Sequence, residues 1–160
     1  MMWQDVLLDR WVEAPELGDA VARAFGVPIM CVAVVDEPEE LATVSPSARV
    51  TLERTRQDRD FPLQLLVILR DDELADRFAG FQGARTVATT LSGRLGASVL
   101  FAEGPLAPSE WVRVGPAGAV DLVSLDTDET GHVDAYFVVA ERPFTGAHRT
   151  SESHVVATTT

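Results

Sequence analysis

Apolar positions in the first part of the 160-residue chain follow a helical period. Leu17, Val21 and Phe25 recur every four residues, which predicts one face of a helix. Pro15 suits the first turn of that helix, and Gly26 suits its C-terminal cap. The opening segment is therefore predicted to form two short helices that are separated at Pro15.

Two long apolar runs predict buried strands. Residues 27–35 are continuously apolar and rich in β-branched side chains, a pattern typical of a strand buried on both faces. The run 61–69, apolar apart from Gln64, predicts a second strongly buried strand. Pro62 should lie near its start because an interior proline removes a ladder hydrogen bond. Between the runs, Val50 and Leu52 alternate with polar residues, which predicts a half-exposed strand.

The middle of the chain returns to the helical period. A helix is predicted to begin at residues 71–73, and the glycines Gly80 and Gly83 are predicted to break it. A further apolar stripe over residues 84–95 predicts another helix, which ends at Gly96.

The last part of the domain is predicted to be a three-stranded antiparallel meander after a short strand at residues 97–101. Its strands are Trp111–Val114, Val120–Leu125 and Val133–Ala140. Since helices and strands do not alternate regularly, the pattern favours an α+β fold with a mixed or mainly antiparallel sheet and helices packed on one face. One domain is predicted over residues 3–143, followed by a polar tail over 144–160.

Charge adds a strong bias to this picture. The chain has 25 acidic and 13 basic residues and a formal net charge of −12. Such a field opposes unaided binding to nucleic acid or to an anionic membrane and favours a basic protein partner. A composition bias of the whole genome is the alternative explanation. All basic residues are arginine, which excludes mechanisms that depend on a lysine.

The single cysteine, Cys31, lies inside an apolar run, where a buried and unreactive thiol is the ordinary interpretation. One cysteine allows no internal disulfide, and the N-terminus has no pattern of a signal peptide. No apolar run approaches the length of about 20 residues that a membrane span requires. These observations predict a cytoplasmic protein.

Three acidic groups each follow a predicted strand, at residues 36–40, 71–76 and 126–129. If two or three of these strand ends lie on the same edge of the sheet, the groups form one concentrated negative face that suits Mg²⁺ or a basic protein surface. Helix capping and a turn are the alternatives for the second and third groups. The candidate binding residues are Asp36, Glu37, Asp71, Asp72, Asp126 and Asp128.

The meander carries a second candidate surface. His132, Asp134 and Tyr136 alternate with apolar residues and therefore share one face of a strand, as do Trp111 and Arg113. If the two faces are the same, they have the composition of an interface hot spot or of the floor of a ligand site. The solvated side of an ordinary antiparallel sheet has the same composition.

No catalytic residue, metal site or cofactor is predicted. The leading hypothesis is a non-enzymatic, acidic interaction module that binds and masks a basic protein, comparable in physical type with small inhibitor or immunity proteins. A small-molecule site or an enzyme that uses the face of His132, Asp134 and Tyr136 is the first alternative. A subunit of a homo-oligomer or of a larger assembly is the second.

Overall fold

The computed structural model describes residues 2–102, 109–128 and 135–144. These residues form eight strands and three α-helices. In chain order they are β1 (Met2–Leu8), α1 (Ala14–Phe25), β2 (Val32–Val35), β3 (Val50–Arg56), β4 (Leu63–Leu69), α2 (Asp72–Arg77), α3 (Gly80–Leu95), β5 (Val99–Ala102), β6 (Glu110–Val114), β7 (Val120–Asp128) and β8 (Ala135–Pro143).

All eight strands lie in one mixed sheet with the order β2-β3-β4-β1-β5-β6-β7-β8. Only β2 and β3 run parallel, and every other neighbouring pair is antiparallel. The last three strands are neighbours in both sequence and space. The predicted α+β fold with a C-terminal meander is therefore confirmed.

The larger apolar core lies between one face of the sheet and the helices. Because successive side chains of a strand point to opposite faces, Val6 and Leu8 of β1 join this core while Leu7 does not. Phe25 of α1 stacks edge-on against Trp3 and Phe78, with ring centroids 5.4 and 5.0 Å away. Burial of these side chains holds α1 against the sheet.

A second apolar cluster lies on the outer face of the sheet, away from that core. Phe61, from the loop between β3 and β4, takes part in it. In the same loop, Asp60 Oδ2 accepts a hydrogen bond from Val138 N of β8 at 3.0 Å, and the Arg59 guanidinium lies 4.4 Å from the ring centroid of Phe137. Four strands separate β4 from β8 in the sheet order, so these contacts require a strongly curled sheet. The other members of the cluster are Leu7, Leu100, Trp111, Val123 and Leu125.

The opening segment differs from its prediction. Residues 2–8 form a strand instead of a helix, and only the helix that contains Pro15 is present. Val6, Leu7 and Leu8 are all buried because β1 lies between β4 and β5 and is covered on both faces. A short run of consecutive apolar residues does not distinguish a central strand from a buried helix.

The run 27–35 also differs from its prediction. Only Val32–Val35 forms a strand, and this strand lies at the border of the sheet instead of its centre. Pro28, which has no amide hydrogen, precedes a 3₁₀ turn at Ile29–Cys31, and its carbonyl accepts a hydrogen bond from Cys31 N at 2.9 Å. Cys31 is partly buried against the main core.

One predicted helix boundary is wrong and several are right. α3 begins at Gly80 and passes through Gly83 without a break. A Cβ atom at Gly83 would collide with the backbone carbonyl of Phe78, so this glycine permits a close approach of chain segments. The predicted ends at Gly26 and Gly96 are confirmed, and both glycines adopt left-handed backbone angles.

Two further predictions concern the start of β4 and the C-terminal part of the chain. Pro62 directly precedes β4, as predicted. The predicted tail over 144–160 falls outside the described residues, apart from Phe144, which stacks on Phe81 with ring centroids 5.5 Å apart. Within the described part of the chain, no helix combines the length and the apolar character needed to cross a membrane.

Candidate functional site

The predicted polar-aromatic surface is partly assembled. Trp111 and Arg113 share the outer face of β6, where they lie opposite Val123 and Asp121 of β7. A bulge at Ser124/Leu125 shifts the register of β8. Tyr136 of β8 contacts Trp111 edge-on, with ring centroids 5.5 Å apart. His132 and Asp134 lie outside the described residues.

The side chains of this face already interact with each other. Trp111 is only 5% exposed. The Arg113 guanidinium donates hydrogen bonds to Asp121 and to Glu141, both at 2.9 Å. These two carboxylates, Glu141 above all, raise the pKa of Arg113. Since two carboxylates neutralise the guanidinium, Arg113 is not available as a free cation for an anionic ligand.

Trp111 has one unusual feature. Its indole Nε1 is buried and has no acceptor among the described residues, although buried polar atoms are normally hydrogen-bonded. The ring contributes to the second apolar cluster through its hydrophobic surface and its contact with Tyr136. The geometry therefore gives Trp111 a packing role.

The first acidic group is organised around a buried arginine. The Arg54 side chain is 9% exposed and donates to both carboxylate oxygens of Asp36, at 2.7 and 3.0 Å. It also donates to the carbonyl of Val12 at 2.8 Å and lies 4.5 Å from the ring centroid of Trp11. The hydrogen bond from Arg54 lowers the pKa of Asp36. Asp36 thus joins the end of β2 to β3 and to the segment before α1.

The acids that follow Asp36 are in a different situation. Glu37, Glu39 and Glu40 are exposed, and among the described residues none of them forms an ion pair. Glu40 Oε2 accepts a hydrogen bond from Asp36 N at 3.2 Å, which leaves its charge uncompensated. These three residues, here called the acidic segment, form a free negative surface beside the C-terminal end of β2.

The second acidic group has a structural task. Asp71 is the N-cap of α2 and accepts hydrogen bonds from Glu73 N at 2.9 Å and from Leu74 N at 3.2 Å. Arg49 Nε donates to its other oxygen at 2.5 Å, and this contact with Arg49 is the main reason why the pKa of Asp71 is lowered. Asp72, in the first turn of α2, is exposed. Capping explains the position of Asp71 without any ligand.

The third acidic group lies at the end of β7. Asp126 is exposed and lies opposite Phe137 in β8, while Asp128 is the last residue of β7. The turn that follows is outside the described residues.

The three acidic groups do not meet on one face. β2 and β4 run in opposite directions, so their C-terminal ends, with Asp36 and Asp71, lie at opposite ends of the sheet. Asp71 and Asp126 share an end, but three strands separate β4 from β7. A single site built from all three groups is therefore ruled out by the topology.

Sequence reasoning missed two features. Val50, Leu52 and Arg54 share one face of β3, so extending the alternation by two residues would have placed Arg54 in the interior. The exposed residues Ile29 and Met30, beside a border strand, were hidden because their apolar run resembles a core strand.

Within the described residues, no group of three or more histidine, cysteine, aspartate and glutamate side chains could hold a metal ion. Comparison of the chain with protein-family models, with curated proteins and with solved structures gives no match.

Proposed function

We propose that this chain is a non-enzymatic, acidic protein-interaction module that binds a basic protein partner and masks its charged surface. The observation that carries the proposal is the internal use of the positive charges. In the described part of the chain at least seven arginines are engaged in ion pairs. They are Arg10, Arg49, Arg54, Arg77, Arg94, Arg113 and Arg142.

Pairing of the arginines leaves the acidic excess facing solvent. The acidic segment, Glu37, Glu39 and Glu40, has no cationic neighbour within ion-pair distance in the described structure. Uncompensated surface charge acts over roughly 8 Å at physiological ionic strength. It therefore accelerates encounter with a positively charged protein and disfavours nucleic acid and anionic membranes.

The proposal also includes the cellular compartment in which the chain acts. The single cysteine permits no internal disulfide, which supports a reducing compartment such as the cytoplasm. The partner in this proposal is a basic cytoplasmic protein, and no metal or cofactor takes part.

The test begins with capture of the partner. The full chain, immobilised through a tag, is exposed to the native lysate at low salt, and bound proteins are eluted with a salt step and identified by mass spectrometry. The captured protein is then purified, and its association rate with the full chain is measured at several ionic strengths.

We expect a basic protein whose association rate falls at least about tenfold between about 20 and 200 mM salt. An association rate that does not depend on salt would contradict the proposal. Equal retention of acidic and basic proteins would also contradict it.

A further inference from the structure

The outer border of β2 is an open sheet edge. β2 pairs with β3 on one side, and in the described structure no strand lies on its other side. The backbone N–H and C=O groups that point away from β3 therefore have no strand partner. Such an edge is a template to which an extended segment of another protein can add.

Apolar side chains are exposed directly before this edge. Ile29 is 55% exposed and Met30 is 81% exposed, and both belong to the 3₁₀ turn that leads into β2. Val32 and Val34 are themselves only partly buried, although they pack against the main core. An apolar side chain from a partner can cover this surface and gain from its removal from water.

Acidic side chains lie at the other end of the same edge. The acidic segment begins two residues after the last residue of β2, Val35. A strand of four residues is about 13 Å long, so the exposed apolar pair and the acidic segment are separated by about this distance. The edge thus offers an apolar contact, a stretch of backbone hydrogen bonds and a negative contact in that order.

From this arrangement, and resting on the function proposed above, we infer that the free edge of β2 is the docking site. The partner contributes an extended basic segment that adds to the sheet as a ninth strand. Antiparallel addition is favoured because antiparallel pairs are more stable per residue. In that orientation, the lysine or arginine side chains of the segment precede its apolar side chain.

A second copy of this chain fits the edge less well. Antiparallel pairing of β2 with its own copy would place the acidic segment of each chain beside Ile29 and Met30 of the other. Carboxylates would then face exposed apolar side chains, and two molecules that each carry a net charge of −12 would repel. Charge complementarity therefore selects a basic segment.

The probe for this inference is a labelled synthetic peptide with the sequence KRKVTVTI. Two backbone-methylated forms serve as controls, one methylated at both valine nitrogens and one at both threonine nitrogens. Strand addition requires only one of these alternating sets to face β2, since alternate residues point to opposite sides. We expect one methylated peptide to bind the full chain at least about tenfold more weakly than the other. Equal binding of both would overturn strand addition.

Protein variants test the location. The variant Glu37→Gln/Glu39→Gln/Glu40→Gln neutralises the acidic segment and keeps the hydrogen-bond acceptor of Glu40. The control Asp58→Asn/Asp72→Asn/Asp76→Asn removes three exposed charges elsewhere. We expect the first variant to weaken binding of the peptide at least about tenfold and the control by less than about threefold.

The apolar end has its own matched pair. Met30→Lys introduces a charge beside the edge, where Met30 is 81% exposed, and Val139→Lys introduces one at another exposed apolar position, on β8, where Val139 is 55% exposed. We expect only Met30→Lys to abolish peptide binding, and hydrogen exchange in residues 32–35 to slow when the peptide binds the unmodified chain. Unchanged exchange in these residues would place the peptide elsewhere.

The same measurements separate this inference from the proposed function. If the captured basic protein still binds the Met30→Lys and acidic-segment variants with unchanged affinity, the partner docks elsewhere and only the inference about β2 fails. If neither the peptide nor any basic protein binds in a salt-dependent way, the proposed function fails. Self-association of the full chain through β2, measured by sedimentation and lost in Met30→Lys, would replace the basic partner by a second copy.

Discussion

The two borders of the sheet are protected to different degrees. β8 is nine residues long and ends in Glu141, Arg142 and Pro143, residue types that discourage further strand pairing. The backbone amide of Val138 in β8 donates a hydrogen bond to the Asp60 carboxylate. β2 is four residues long, contains only valine and alanine, and receives no such contact from the described part of the chain.

The two borders therefore differ in how easily a strand of a partner can pair with them. Charged residues, a proline and a side-chain hydrogen bond along β8 disfavour the addition of another strand. At β2, the short length and the neighbouring acids restrict access, and these acids repel acidic segments and attract basic ones. If the proposed docking is correct, the edge of β2 therefore selects its occupant by charge.

The largest expected effect follows from loss of the Phe61 ring, which helps to hold the loop before β4 against the outer face. Phe61 is 3% exposed and belongs to the second apolar cluster. We expect Phe61→Ala to lower the free energy of unfolding by about 3–4 kcal/mol, because it leaves a cavity that the surrounding residues fill only in part. Urea unfolding followed by circular dichroism measures this loss.

The same variant should expose the β8 border to solvent, whereas the protection of the β2 backbone from hydrogen exchange should stay the same. Hydrogen exchange at the Val138 amide is expected to become faster, because displacement of the loop removes Asp60 as its acceptor. Exchange in residues 32–35 should change far less. Equal acceleration at both borders would show that the loop does not protect β8 specifically.

Sequence reasoning predicted the elements whose side chains repeat with a clear period. The helix ending at Gly26 and the meander strands are of this kind. It failed for β1, because a central strand covered on both faces has no alternation, and for residues 27–35, because an apolar run gives no information about position in the sheet. Capping of α2 by Asp71 could be predicted from the acidic residues at the start of the helix. The separation of the acidic groups depends on strand order, which cannot be read from the pattern of a single sequence.

The next effect concerns the anchor of β2. Arg54 links Asp36, at the end of β2, to the Val12 carbonyl. We expect Arg54→Met, which keeps an unbranched stem but no hydrogen-bond donor, to lower the free energy of unfolding by about 2 kcal/mol because several hydrogen bonds of a charged donor are lost.

Arg142→Met is the matched control at the β8 border. Arg142 is half exposed and donates to Glu110 at 2.6 Å. An exposed pair of this kind contributes less than about 1 kcal/mol. The free energy of unfolding in urea should therefore fall much less for Arg142→Met than for Arg54→Met. Similar losses in the two variants would contradict the view that Arg54 is an interior anchor.

A smaller effect isolates the hydrogen bond that protects β8. Asp60→Ala removes the acceptor of Val138 N and should cost about 1 kcal/mol, with faster exchange at that amide. Asp60→Asn keeps an acceptor oxygen and should restore most of the protection, while Asp58→Ala, an exposed neighbour, should have no effect. Unchanged exchange in Asp60→Ala would show that the edge of β8 is protected by other means.

The smallest effect is a pH dependence at the end of β2. Arg54 lowers the folded pKa of Asp36 below the unfolded value of about 3.9. The ion pair therefore stabilises the fold fully above that value, and this stabilisation is lost as the pH falls through the folded pKa. Because the Asp36 side chain is 54% exposed, solvent screening keeps the contribution below about 1 kcal/mol.

Asp36→Asn should abolish this part of the acid response. Urea unfolding at pH 7, 5, 4 and 3 is expected to show a smaller loss of stability with acid in Asp36→Asn than in the unmodified chain, whereas Asp58→Asn should follow the unmodified chain. Hydrogen exchange locates the effect, since protonation of Asp36 should loosen residues 32–35 before it affects β8. If acid loosens both borders together, Asp36 does not hold the β2 end independently, and docking at that edge would be no more sensitive to acid than the fold as a whole.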